Sequence, residues 1–122
     1  MSVARRGCVA LDCQDPAALA SFWAGMLGGE VIFASPTFVA LRTDWIIVTA
    51  QQVADHQPPT WPEGGTPKQM HLDLAVDDLE QAVRDAEALG ARSAPVQPSP
   101  DRWRVLVDPA GHPFCLTTLI PA

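Results

Sequence analysis

The sequence predicts an α+β fold made of two βαβββ modules. Two observations carry this: a pair of capped, amphipathic helix patterns, and a matching order of short apolar strands around each. Aligning Leu27-Gly28 with Leu89-Gly90 sets an offset of sixty-two residues, about half the chain, and carries Asp15 onto Asp77. The order is strand, helix, three strands, twice.

The first strand is "GCVALDC", a short alternating segment. The helix after it, "DPAALASFWAGMLGGE", sets Leu19, Phe22, Trp23, Met26 and Leu27 three and four apart on one face. Asp15 is its expected N-cap, Pro16 fits the first turn and Gly28 the left-handed stop. Three runs follow, "GEVIFA", "TFVALR" and "WIIVTAQQV". The second module opens on "MHLDLAV". Its helix starts at Asp77 or Asp78, with Leu79, Ala82, Val83, Ala86 and Leu89 facing inward, Gln81 as a capping-box partner and Gly90 as the stop. "ARSAPVQ", "RWRVLVD" and "PFCLTTL" complete it. The Pro- and Gly-rich segment 54–67, "ADHQPPTWPEGGTP", reads as a linker between a first module of about residues 1–55 and a second of about 68–122. Neither half buries a convincing core alone, so 1–122 is expected to pack as one domain.

Composition excludes several functions. Apolar residues make up 48% and charged residues 18%, as in a packed protein and unlike a disordered tail. A net charge of −6, with eight scattered Lys and Arg, excludes a phosphate-binding surface and so nucleic acid as partner. No run reaches the ~20 apolar residues of a membrane span, and "MSVARRG" leads into no apolar signal core. The expected location is cytoplasmic, with Cys8, Cys13 and Cys115 as free thiols.

The doubled pattern, with "CVALDCQDP...FWAGMLGGE" in one half and "HLDLAVDDL...ALGAR...VLVDPAGHPFCL" in the other, resembles the vicinal oxygen chelate superfamily, the glyoxalase/bleomycin-resistance/dioxygenase group. "PTWPEGGTPKQMHLDLAVDDL" and "DRWRVLVDPAGHPFCL" look like its glyoxalase-like subgroup. The resemblance covers essentially the whole chain and implies a cup-shaped mixed sheet. In metal-dependent members the first and last strands of each half supply ligands. Carried over by position, these fall on Cys8, His71 and Cys115; the fourth lies on "WIIVTAQQV", where Thr49 and Gln51 are the polar candidates. No carboxylate stands at the three assigned positions, which disfavours hard ions such as Mg²⁺ and Mn²⁺. The preferred expectation is a metal-free cup with no cofactor. Zinc on Cys8, His71 and Cys115 is the alternative.

Strand parity places Cys8, Ala10 and Asp12 on one face, with His71, Asp73 and Ala75, and Pro113, Cys115 and Thr117, as their counterparts. Asp12 and Asp73 are mid-strand carboxylates that need a partner or a purpose. A pair of them in proximity would hold a proton near neutral pH, and with His71 they form the candidate catalytic set. Structural alternatives stand beside this: a backbone hydrogen bond for His71, and pairing with Arg5, Arg102 or Arg104 for the aspartates. Trp103, Trp61, Thr49, Gln51 and Thr117 are the candidate ligand-binding residues.

The resemblance implies a small-molecule ligand and two functional readings. One is a lyase or isomerase that moves a proton next to a carbonyl. The other is a non-catalytic protein of the bleomycin-resistance type that sequesters an aromatic natural product or drug. Exposed sheet edges and the resemblance together imply a homodimer.

Overall fold

The structure, a computed structural model, describes residues 2–121. It divides into two compact units, Met1–His56 and Gln57–Ala122. In the first, β1 (Cys8–Cys13), α1 (Pro16–Leu27), β2 (Glu30–Ser35), β3 (Phe38–Arg42) and β4 (Ile47–Gln52) form a four-stranded sheet in the order β1-β4-β3-β2 with one helix. The second repeats this plan with β5 (Leu72–Ala75), α2 (Leu79–Leu89), β6 (Arg92–Ser93), β7 (Trp103–Val107) and β8 (Pro113–Thr117), in the order β5-β8-β7-β6. Each unit's first strand runs parallel to its last, β1 to β4 and β5 to β8, and the other pairings are antiparallel. The predicted duplication is therefore present strand for strand.

Helix ends follow the chemistry expected of them, with one shift. Asp15 accepts the N–H of Ala18 and caps α1. In the second unit the cap is Asp78, whose carboxylate accepts the N–H of Gln81. The structural equivalent of Asp15 is thus Asp78 rather than Asp77, because α2 is one residue shorter than α1. The reciprocal half of the expected capping box is not made, since the Gln81 side chain turns along the helix to Asp85 and Arg84. Gly90 ends α2 at φ 119, where a side chain would be strained.

Each core lies between helix and sheet. In the first unit Leu19, Phe22 and Trp23 of α1 are buried, as are Val39, Leu41, Val48 and Ala50 of the strands, and the Phe22 and Trp23 rings meet edge to face at 5.2 Å. In the second unit Val83 and Ala86 are buried, with Leu74, Leu106, Phe114 and Leu116. Leu89, expected on the inner face, is 42% exposed because β6, the strand that follows it, is two residues long and leaves little sheet to cover the last turn.

That short strand is the main departure from the expected elements. "ARSAPVQ" pairs with β7 at Arg92 and Ser93, and the Ala94 N–H still donates to the Val105 carbonyl, but beyond that Pro95 and Pro98 cannot donate to a ladder. The Gln97 side chain takes over, donating to the Val105 carbonyl and accepting the Val105 N–H, each at 2.8 Å. A side-chain amide thus finishes the edge that the backbone abandons. The β7–β8 turn is held by Asp108, fully buried, whose carboxylate accepts the N–H groups of Ala110 and His112 at 2.9 Å. Gly111 sits there at φ 90, with Pro58 packed where a Cβ would stand. The segment 54–67, expected to be a linker, folds partly into the second unit: Thr60 and Thr66 bond each other, and Thr60 bridges to Pro67.

Asp108→Ala strips the acceptor from those two amides and should cost about 2 kcal/mol of unfolding free energy. Urea unfolding checks this; a loss below about 0.5 kcal/mol, the range of a neutral surface change, would contradict the role given to the turn.

Candidate functional site

Register in the second unit decides which side chains meet. Asp73 stands opposite Cys115 and Ala75 opposite Thr117 in the β5–β8 pair, while Val105 faces Cys115 and Trp103 faces Thr117 in the β7–β8 pair. Alternate residues share a face, so Asp73, Cys115, Thr117, Val105 and Trp103 lie on one side of the sheet. Leu74, Leu106, Phe114 and Leu116 point the other way, into the core. On the polar side a pocket of about 460 Å³ is lined by His71, Asp73, Trp103, Cys115 and Thr117 and by the C-terminal segment Leu119–Pro121.

His71 is just outside β5, one residue before it, rather than within the strand as expected. Its ring reaches the residue two positions on and brings Nε2 to 3.1 Å from Asp73 Oδ1. In the neutral ring this contact favours the tautomer with the proton on Nε2, which leaves the lone pair on Nδ1. Cys115 completes the cluster. One donor atom from each of His71, Asp73 and Cys115 lies within 4.8 Å of the other two.

The electrostatics of the group are uneven. The Cys115 thiol is pushed up from 9.0 to about 11, first by burial, then by the negative charge of Asp73 and by its hydrogen bond to that carboxylate, against a smaller opposing pull from Lys68. Cys115 is thus a protonated thiol at neutral pH, and a hydrogen-bond donor to Asp73. The carboxylate accepts from both sides while more than half of its side-chain surface stays open to solvent.

The three donors, a nitrogen, a carboxylate oxygen and a sulfur, fit a borderline-soft divalent ion such as zinc better than manganese or magnesium. A bound cation would also displace the thiol proton.

The remaining sequence candidates belong to other elements. Cys8, Asp12, Thr49 and Gln51 belong to the first unit, where Asp12 pairs with Gln51 and Ala10 with Thr49 across β1 and β4. They share the sheet face opposite Val39, Leu41, Val48 and Ala50. Trp61 is half-buried in the loop before β5. Arg104, considered as a partner for the aspartates, instead pairs with Glu80 at the start of α2. Sequence reasoning missed Lys68 and the C-terminal wall. The signal for the wall is "LIP", an apolar ending after the last strand; its start is tied down by Thr117, whose hydroxyl donates to the Arg102 carbonyl and accepts the Leu119 N–H. Among the described residues no helix is long and apolar enough to cross a membrane.

Comparison with known proteins agrees with this architecture. The fosfomycin resistance protein FosX from Mesorhizobium loti superposes with a TM-score of 0.70 at 17% identity, over 98% of this chain and 94% of that one. A FosX variant from Listeria monocytogenes, solved with Mn(II) and 1S,2S-dihydroxypropylphosphonic acid, gives 0.71 at 15% identity, over 96% and 91%. A glyoxalase/bleomycin resistance protein/dioxygenase family enzyme from Burkholderia phytofirmans PsJN gives 0.70 at 23% identity, over 96% and 100%. No curated protein sequence matches the chain. At these identities the structures establish the α+β glyoxalase/bleomycin-resistance fold. The model of the glyoxalase-like domain matches residues 8–117, and the chain accordingly belongs to the glyoxalase-like domain family of the vicinal oxygen chelate superfamily.

Proposed function

We propose that the protein binds a small organic ligand in the pocket above β5, β7 and β8 and moves a proton next to the ligand's carbonyl group, as a lyase or isomerase does. The observation that carries this reading is the His71 Nε2 to Asp73 Oδ1 contact of 3.1 Å at a pocket large enough for such a ligand. Asp73 orients the imidazole through this contact, so that Nδ1 serves as base and then, protonated, as acid. Trp103, Leu119, Ile120 and Pro121 give the pocket apolar walls against which a ligand's carbon skeleton can lie. Asp12, in the first unit, is a further candidate acid or base, and Thr49, Gln51 and Trp61 further ligand contacts. The physiological form is proposed to be a cytoplasmic homodimer; the exposed Val31, Ile32 and Phe33 on edge strand β2 support pairing of two copies.

Two alternatives have their own support. The apolar walls also suit simple capture of an aromatic compound, with no turnover. The His71, Asp73 and Cys115 donors also suit a zinc-type ion, which would polarise a ligand oxygen.

Proton transfer is read by deuterium uptake at the carbon next to the carbonyl, in heavy water, across a panel of small ketones and α-hydroxyketones. Uptake should fall about a hundredfold or more in His71→Gln and in Asp73→Asn. Uptake unchanged in both variants would contradict the assignment. Binding without uptake, retained in both and lost in Trp103→Ala, would establish capture instead.

Zinc titration addresses the ion. One equivalent should release the Cys115 proton, read as acidification of a weakly buffered solution that Cys115→Ala abolishes and His71→Ala weakens; equal release at the same zinc concentration in His71→Ala would remove His71 from the donor set.

A further inference from the structure

A second cleft, of about 230 Å³, lies in the first unit between the segment that leads into β1 and the β3–β4 turn. Its lining gathers Arg5, Arg6 and Arg42, three of the eight cations of an acidic chain, with Asp44, Trp45 and Ile47. Among the described residues neither Arg5 nor Arg6 has a side-chain ion pair or hydrogen bond, whereas Arg42 gives one guanidinium nitrogen to Glu30 at 2.8 Å. Ten guanidinium N–H donors from Arg5 and Arg6, by the usual five per group, are therefore unspoken for at one place.

The opposite wall is held still by its own hydrogen bonds. Thr43, buried, donates its hydroxyl to the Ile46 carbonyl at 2.7 Å and accepts the Ile46 N–H at 3.1 Å, and its own N–H returns to Ile46 at 3.0 Å. That pinned turn presents Trp45, whose residue surface is 61% exposed despite its large apolar ring. An exposed indole on a fixed turn, beside unpaired guanidiniums, offers a stacking surface and a fork for a planar anion in the same small volume.

We infer that this cleft is a binding site for a small aromatic carboxylate, its carboxylate held by Arg5 and Arg6 and its ring laid on Trp45. Asp44 is the one carboxylate in the lining; it repels a second anionic group and accepts a hydrogen bond from a ring hydroxyl or amine. The volume admits a single-ring acid. The site is independent of the His71 pocket and of the chemistry assigned there.

The probe is sodium benzoate, titrated at low ionic strength and followed by ¹H–¹⁵N spectra, with benzamide and cyclohexanecarboxylate as controls. Benzoate should shift the Trp45 indole and the amides of residues 42–47 saturably, with a dissociation constant on the order of 1 mM. Arg5→Gln/Arg6→Gln should weaken it at least about tenfold and Trp45→Ala should weaken it as well, both at exposed positions where the fold is not at stake. Benzamide, uncharged, and cyclohexanecarboxylate, without a π face, should each bind more weakly than benzoate. Shifts absent from this cleft, benzoate affinity unchanged in the double variant, or a control binding as tightly as benzoate would each overturn the inference.

Discussion

The parallel pairing of β5 with β8 is the constraint on which the candidate site depends. It sets Asp73 against Cys115 and Ala75 against Thr117, and β7 on the far side of β8 then brings Trp103 to the same face. A slip of one residue would turn Asp73 into the core and Leu74 into the pocket. Leu74, Phe114 and Leu116 are each buried to 6% exposure or less, so apolar burial locks the register that positions the polar cluster. Packing on one face of the sheet thus determines chemistry on the other.

Within that frame the cluster is a set of three groups that share one negative charge. Asp73 receives hydrogen bonds from an imidazole and from a thiol, and the thiol is held in its protonated form by burial and by that same carboxylate. Cys115 therefore keeps its proton at neutral pH. The same three groups would also suit an ion, because a cation adds a favourable interaction with the thiolate that opposes the burial and the Asp73 charge now keeping Cys115 protonated. Proton handling and ion binding are accordingly two states open to one set of residues.

The fold was legible in the sequence because its signals are local. Caps at Asp15 and Asp78, stops at Gly28 and Gly90, and alternation in the strands each need only a few adjacent residues. The failures came where a side chain chooses among competing partners: Gln97 replaces a strand edge that "ARSAPVQ" was expected to form, and Gln81 bonds along the helix rather than back to its cap. Parity placed His71, Asp73, Cys115 and Thr117 on one face, and these do line one pocket. The direct His71 to Asp73 contact was not legible, since alternation gives the shared face but not the orientation of the ring. Nor was the cleft at Arg5 and Arg6, which needs the β3–β4 turn brought beside the start of β1.

The most direct test of the cluster is the titration of the Cys115 thiol itself, followed through its ¹³Cβ shift. Burial and Asp73 place the midpoint at about 11 in the wild type. Asp73→Asn removes the nearby negative charge, so the thiolate becomes easier to form and the midpoint should fall toward 9.0, the ordinary value. A wild-type midpoint already at that ordinary value, or one that Asp73→Asn leaves unmoved, would contradict the coupling on which the account of the site rests.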